Sequence, residues 1–174
     1  MKTALRNSRW AGVLTGLLLS VTLVHAALPQ PGETFPNLNN FGLEGAVPDL
    51  TNKVVLVDFF ASWCGPCQES FPVMERLYQQ YGKEGLVVVA INLDKKKEDM
   101  QDFLKAHPVT FVVLRDGSFS LAKQLKIPTM PTSFLLDRSG RVHSIHQGFK
   151  GGKTADQYTQ EIGLLLKTPR PSSP

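Results

Sequence analysis

The chain has 174 residues, 42% of them hydrophobic, with only 14 Gly and 12 Pro, a composition that excludes wholesale disorder and a collagen-like or low-complexity chain. At this length one α/β-sized domain buries enough surface to need no disulfide or metal, so the two cysteines require another explanation. Lys plus Arg number 19 against 15 Asp plus Glu, a formal charge of +4, and where that charge sits decides whether it points to nucleic acid.

Lys2, Arg6 and Arg9 precede an uncharged run from Trp10 to Val24, and Ala26 and Ala27 follow. A basic start, an apolar stretch and small residues around a cut after Ala26 read as a secretory signal peptide over residues 1–26. The alternative is an uncleaved anchor, which needs about 20 apolar residues to cross the hydrocarbon core. Either way the domain is expected outside the cytoplasm, periplasmic or otherwise extracytoplasmic, and membrane-anchored if the segment stays attached. Removing three basic residues leaves 16 positive and 15 negative groups, so the mature chain is nearly neutral and no nucleic-acid partner is expected. Lys95, Lys96 and Lys97 form the only remaining basic run, which reads as a solvated loop.

Residues 27–52 are rich in Pro, Gly and Asn, with short apolar pieces at Phe35, Leu38, Phe41, Leu43 and Val47, and predict an irregular or hairpin-forming lead-in. Lys53–Phe60 and Leu86–Asn92 are continuous apolar runs, as expected of central parallel strands covered on both faces. Between them Phe71, Met74, Leu77, Tyr78 and Tyr81 recur at helical spacing, ended by Gly82 and Gly85, which makes a right-handed βαβ unit. Met100, Phe103 and Leu104 mark a short helix closed by His107 and Pro108. Phe111–Leu114 is a strand candidate, and Phe119, Ala122 and Leu125 suggest another helix. Ser133–Asp137 and Arg141–Gln147 flank a turn with Gly140, a hairpin. Thr154 and Gln157 read as a capping box before a last helix whose buried stripe is Tyr158, Ile162, Leu165 and Leu166. The expectation is an α/β domain over 27–167, a mixed sheet with helices on both faces, and a flexible tail over 168–174.

Trp63, Cys64, Gly65, Pro66 and Cys67 fall where the first strand gives way to the first helix. Two cysteines spaced this way can open and close a disulfide with little backbone movement, and the free N–H groups of a helix start favour thiolate over thiol. Cys64 is therefore the expected nucleophile and Cys67 the resolving thiol. Two other readings remain open. A structural disulfide suits export, although so short a loop constrains the unfolded chain little. Half a zinc site would need two further ligands, and His143 and His146, three apart on a strand, face opposite ways. Lys150–Thr154 has a phosphate-loop flavour but lacks the first glycine, with Gln147 in its place, and reads as a turn before a helix.

The WCGPC run resembles the thioredoxin superfamily, and so do VDFFASWCGPC from Val57, Pro72 five residues after Cys67, and MPTSFLLD from Met130. Within it the chain is similar to the exported TlpA/ResA thiol-disulfide oxidoreductases. The signal peptide, the PGETFPNLNN lead-in, FP after the second cysteine, an extra strand and helix between 98 and 127, and PTxFLxD before a glycine turn carry that resemblance, over about residues 31–166. It implies a thioredoxin-like fold with a strand–helix insert and an N-terminal hairpin. It also implies a protein disulfide reductase cycling between dithiol and a Cys64–Cys67 disulfide with no other cofactor and no metal, acting on exported protein disulfides and recharged by a membrane thiol-disulfide electron donor. A monomer is expected. By the same resemblance Asp58 takes the Cys67 proton, with a strand-end Asp paired to a lysine as the plain alternative. Pro131 is in cis, leaving Met130 open to a partner strand, and Trp63, Gly65 and Pro66 form the contact surface, with core packing the alternative for Trp63. Ser70 stands where some cytochrome-maturation members carry Glu, and Asp58 where many relatives have Asn, which weakens a dedicated role in cytochrome c maturation. Gly65 and Pro66 are the thioredoxin pair, whose potential of about −270 mV against about −120 mV for DsbA favours reduction. A copper(I) metallochaperone using Cys64 and Cys67 is the alternative function, because soft thiolates select Cu(I).

Overall fold

A computed structural model describes residues 28–169. The expected signal segment and the end of the expected tail lie outside the described residues. Five strands alternate with four helices: β1 (Val54–Phe60), α1 (Gly65–Tyr81), β2 (Leu86–Asn92), α2 (Lys97–Ala106), β3 (Val112–Arg115), α3 (Ser120–Leu125), β4 (Thr132–Leu136), β5 (Val142–Gln147) and α4 (Gly152–Lys167). They form one sheet of order β3-β2-β1-β4-β5. β1 and β2 run parallel, as do β2 and β3, whereas β4 is antiparallel to β1 and β5 to β4. The sheet is therefore mixed, with β1 at its centre, and every residue of β1 is buried.

Strand alternation divides the core in two. Val54, Leu56 and Phe60 of β1 face α1, α2 and α4, packing with Phe71, Met74, Phe103, Tyr158 and Ile162. The rings of Phe60, Phe71 and Phe103 lie 4.6, 5.2 and 4.8 Å apart in pairs, contacts that each add about 0.5–1.5 kcal/mol beyond burial. Val55, Val57 and Phe59 face the other way, onto Leu121 and Leu125 of α3 and Phe35 and Leu38 of the lead-in.

Two sequence expectations need correction. Among the described residues the lead-in forms no hairpin of its own. It carries a 3-10 turn at Leu38–Asn40 and two isolated bridges, Thr34 with Arg141 and Glu44 with Arg115, so it straps the sheet from the β4–β5 turn to the end of β3. The reason is coverage: α3 is only six residues long, and the apolar side chains of the strap complete the second face of the sheet. The capping box at Thr154 and Gln157 is also displaced. Helix α4 starts three residues earlier with Gly151 at its cap, φ 56°, where glycine meets no Cβ penalty. Thr154 sits in the first turn, and its Oγ1 accepts from the Lys150 backbone N–H at 3.0 Å. The predicted β4–β5 hairpin is present, turning at Gly140 with φ 76°. Lys95, Lys96 and Lys97 are exposed between β2 and the first turn of α2.

Candidate active site

Central strand β1 ends at Phe60, and four residues later α1 begins with Cys64 as its N-cap (φ −89°, ψ 106°). The Cys64 Sγ accepts from the Cys67 backbone N–H at 3.3 Å, where a Ser or Asp oxygen would sit in an ordinary cap. The sulfur thus lies at the positive end of the helix, with a backbone N–H already aimed at any negative charge it acquires. Pro66 lies in the first turn, where a missing N–H leaves no helical bond unmade. Cys64 and Cys67 are joined as a disulfide with a Cα–Cα distance of 5.3 Å. Cys64 keeps 5% exposure and Cys67 none, so an incoming thiolate or disulfide meets Cys64 first.

Trp63 is 72% exposed, which rules out core packing, and Gly65 and Pro66 are exposed beside it. What holds this rim is a group that sequence reasoning missed. Asp94, buried just past β2, accepts from the Ser62 backbone N–H at 3.1 Å, from the Ser62 Oγ at 3.1 Å and from the Asn92 Nδ2 at 2.7 Å. Gln68 Nε2 adds a donor to the Ser62 carbonyl at 3.3 Å. Behind Asp94, the Arg115 side chain ion-pairs with Glu44 of the strap and donates to the Lys95 carbonyl at 2.8 Å. A polar Asn-Leu-Asp ending on an apolar strand was the available signal.

The Met130–Pro131 peptide bond is cis, Pro131 is buried, and β4 starts at the next residue. Gly148 donates its N–H to the Pro131 carbonyl at 2.7 Å, and Met130 packs against the apolar cluster that contains both cysteines.

Asp58 alternates with Leu56 and Phe60 on β1, so it shares the face of the sheet on which the cysteines lie. It has no exposure, and among the described residues no lysine pairs with it. Its Oδ1 instead accepts from Ser133 Oγ at 2.5 Å, Ser133 being its direct cross-strand partner on β4, and its Oδ2 has no partner. Burial pushes the carboxyl from 3.8 up to about 7, and the Ser133 hydrogen bond acts the opposite way. Tyr158, expected only as part of an apolar stripe, places its OH 2.6 Å from Ser133 Oγ.

Ser70 is buried, and its Oγ donates to the Cys67 carbonyl at 2.9 Å, while Glu69 faces solvent, so neither brings a carboxylate against the disulfide. His143 is exposed and His146 bonds Glu161 at 2.8 Å, which divides the two histidines as their spacing implied. A cavity of about 490 Å³ lined by Phe35, Leu38, Val47, Leu50 and Leu136 lies on the opposite side of the sheet from the cysteines.

The profile of the Redoxin family matches residues 30–162. The chain is 30% identical to thiol-disulfide oxidoreductase ResA of Bacillus cereus over 76% of this chain and 79% of that one. It is also 30% identical to sporulation thiol-disulfide oxidoreductase A of Bacillus subtilis over 69% and 74%. Among solved structures, a putative thiol:disulfide interchange protein DsbE from Chlorobium tepidum superposes with a TM-score of 0.73 at 38% identity, covering 79% of this chain and 99% of that one. With a capped Cys64–Cys67 pair at the head of α1, on a mixed sheet of thioredoxin-like order, the chain belongs to the Redoxin family as a TlpA/ResA-like thiol-disulfide oxidoreductase.

Proposed function

We propose that this enzyme reduces disulfides of exported proteins, with the Cys64–Cys67 pair as its only electron carrier. The observation that carries this reading is Cys64 as N-cap sulfur, accepting a backbone N–H and slightly exposed, over a fully buried Cys67. The Cys64 thiolate attacks one sulfur of a partner disulfide and expels the other as a thiolate, which takes a proton from water. Cys67, passing its proton to Asp58, then attacks the Cys64 sulfur of the mixed disulfide. The second partner sulfur leaves as a thiolate and takes up a proton, two electrons have moved to the partner, and the pair is left oxidised, the state seen here. A thiol donor at the membrane face restores the dithiol by the reverse exchange.

Trp63, Gly65 and Pro66 form the surface that meets the partner, and Met130 beside cis-Pro131 offers backbone to an extended partner segment. Residues 1–26 are the export signal, 27–167 the working domain, acting as a monomer, and 168–174 its tail. Gly65 and Pro66 between the cysteines, together with Ser70 beneath them, favour a general reductant over a carrier dedicated to cytochrome c maturation.

The test is a pair of substitutions in an insulin-reduction assay. Cys64→Ser abolishes turnover, and Cys67→Ser accumulates mixed disulfides through Cys64 that identify the partner. Unchanged turnover in both variants, or stoichiometric Cu(I) binding with negligible turnover by the parent chain, overturns the reading.

A further inference from the structure

Asp58 is a buried carboxyl without a cation. Among the described residues its Oδ2 has no hydrogen-bond partner, and Oδ1 accepts from the Ser133 hydroxyl. That hydroxyl is in turn 2.6 Å from the Tyr158 OH. Asp58 and Tyr158 have no exposure and Ser133 has 1%, so the three groups are shut off from bulk solvent. A serine hydroxyl carries one proton. When Asp58 is ionised that proton is committed to the carboxylate, so the Ser133 oxygen is an acceptor and the phenol donates to it. With Asp58 ionised the three groups therefore form a chain of bonds running Tyr158 to Ser133 to Asp58, drawn from α4, β4 and β1.

Resting on the disulfide-exchange reading above, we propose that Ser133 and Tyr158 are positioning residues for Asp58. They hold its Oδ1, leave Oδ2 as the free lone-pair site for the Cys67 proton, and so set the pH at which the mixed disulfide is resolved. The geometry has two independent supports. Ser133 is the register partner of Asp58, so the two side chains leave the sheet on the same face and meet without any loop having to move. Tyr158 is fully buried among Leu56, Met74 and Ile162 in the cluster between α4 and the sheet, which holds its ring against Ser133. The direction of the hydrogen-bond effect agrees: burial pushes Asp58 up, and Ser133 is what pulls it back. The phenol stays neutral, held above its usual value by burial and then by the Asp58 charge. The titratable groups beside this chain are Tyr158 itself and Glu161 from α4 and His146 from β5, and the Cys64–Cys67 disulfide shares the apolar cluster that holds Tyr158.

The experiment is single-turnover reduction of insulin by the pre-reduced full chain across pH 5 to 9, for the parent, Asp58→Asn, Ser133→Ala, Ser133→Thr, Tyr158→Phe and His146→Asn. The expected parent profile has an inflection near neutral pH that disappears in Asp58→Asn. Ser133→Ala moves it upward by about one pH unit, because a charge-assisted bond to the carboxylate is lost. Tyr158→Phe moves it upward by less, Ser133→Thr restores it, and His146→Asn leaves it in place. If Ser133→Ala does not fold, Tyr158→Phe, which keeps the ring, and a carbon-13 titration of the Asp58 carboxyl in both chains decide the matter. An inflection lost in Asp58→Asn but unmoved in Ser133→Ala and Tyr158→Phe overturns the positioning role and leaves the exchange reading intact. An inflection that survives Asp58→Asn, or follows His146→Asn, overturns the role assigned to Asp58 and the positioning role with it. Full turnover by Cys64→Ser overturns the exchange reading itself.

Discussion

Replacing Asp58 by Asn should make the protein more stable at alkaline pH and no more stable at acid pH. The carboxyl is buried, accepts one hydrogen bond and has one oxygen unpartnered, and burial raises it from 3.8 to about 7. Below 3.8 it is protonated in both folded and unfolded chains and costs nothing. Between 3.8 and about 7 the unfolded chain ionises while the folded chain does not, so folding weakens as pH rises; above 7 the full cost is present. That cost is about 4 kcal/mol. An asparagine keeps the acceptor for Ser133 but puts an N–H where Oδ2 has no partner, at about 1–3 kcal/mol. Asp58→Asn should therefore gain about 1–3 kcal/mol at pH 8, and its advantage over the parent should shrink by about 3–4 kcal/mol on going to pH 4. Urea unfolding of the oxidised full chain at pH 4, 6 and 8, followed by far-UV circular dichroism, measures both. A stability difference that does not change with pH would refute the buried-charge account.

Trp63→Ala should leave stability within about 0.5 kcal/mol, since the side chain is 72% exposed, and raise KM for protein disulfides several-fold with little change toward a small disulfide such as oxidised glutathione. Asp94→Ala removes the acceptor of three hydrogen bonds and leaves the Ser62 backbone N–H unpaired; we expect a loss of about 2–3 kcal/mol in urea unfolding and faster amide exchange at Ser62 and Trp63. Phe71→Ala empties the site where three phenylalanine rings converge and should cost about 3–5 kcal/mol by the same measurement, without altering the pH profile of exchange.

Much of the site was legible because its chemistry is local. The WCGPC run sits where a continuous apolar strand meets a helical pattern, and strand end, cap and first turn are all decided within a few residues. Pro131 was legible through resemblance to a family motif, since nothing in a lone Met-Pro pair distinguishes cis from trans. Ser133 and Tyr158 were not legible as partners of Asp58. They lie 75 and 100 positions further along the chain, Ser133 read as one residue of a hairpin strand and Tyr158 as one member of an apolar helical stripe. The contact follows only once β4 is laid antiparallel on β1 in a register that sets Asp58 against Ser133, and α4 is packed over both.

The lead-in divides in the same way. Its Pro, Gly and Asn content announced an irregular segment, but a hairpin and a strap draw on the same local composition. Choosing between them depends on unpaired edges and uncovered faces elsewhere in the molecule. What the amino-acid sequence determined by itself was the order of elements and the place of the Cys64–Cys67 pair at the head of a helix, because propensity, periodicity and capping act over one or two turns. What only the tertiary structure decided was the strap, the Asp94 brace under the active-site rim and the hydroxyl chain on Asp58, because each joins groups that backbone pairing and burial bring together from distant parts of the chain.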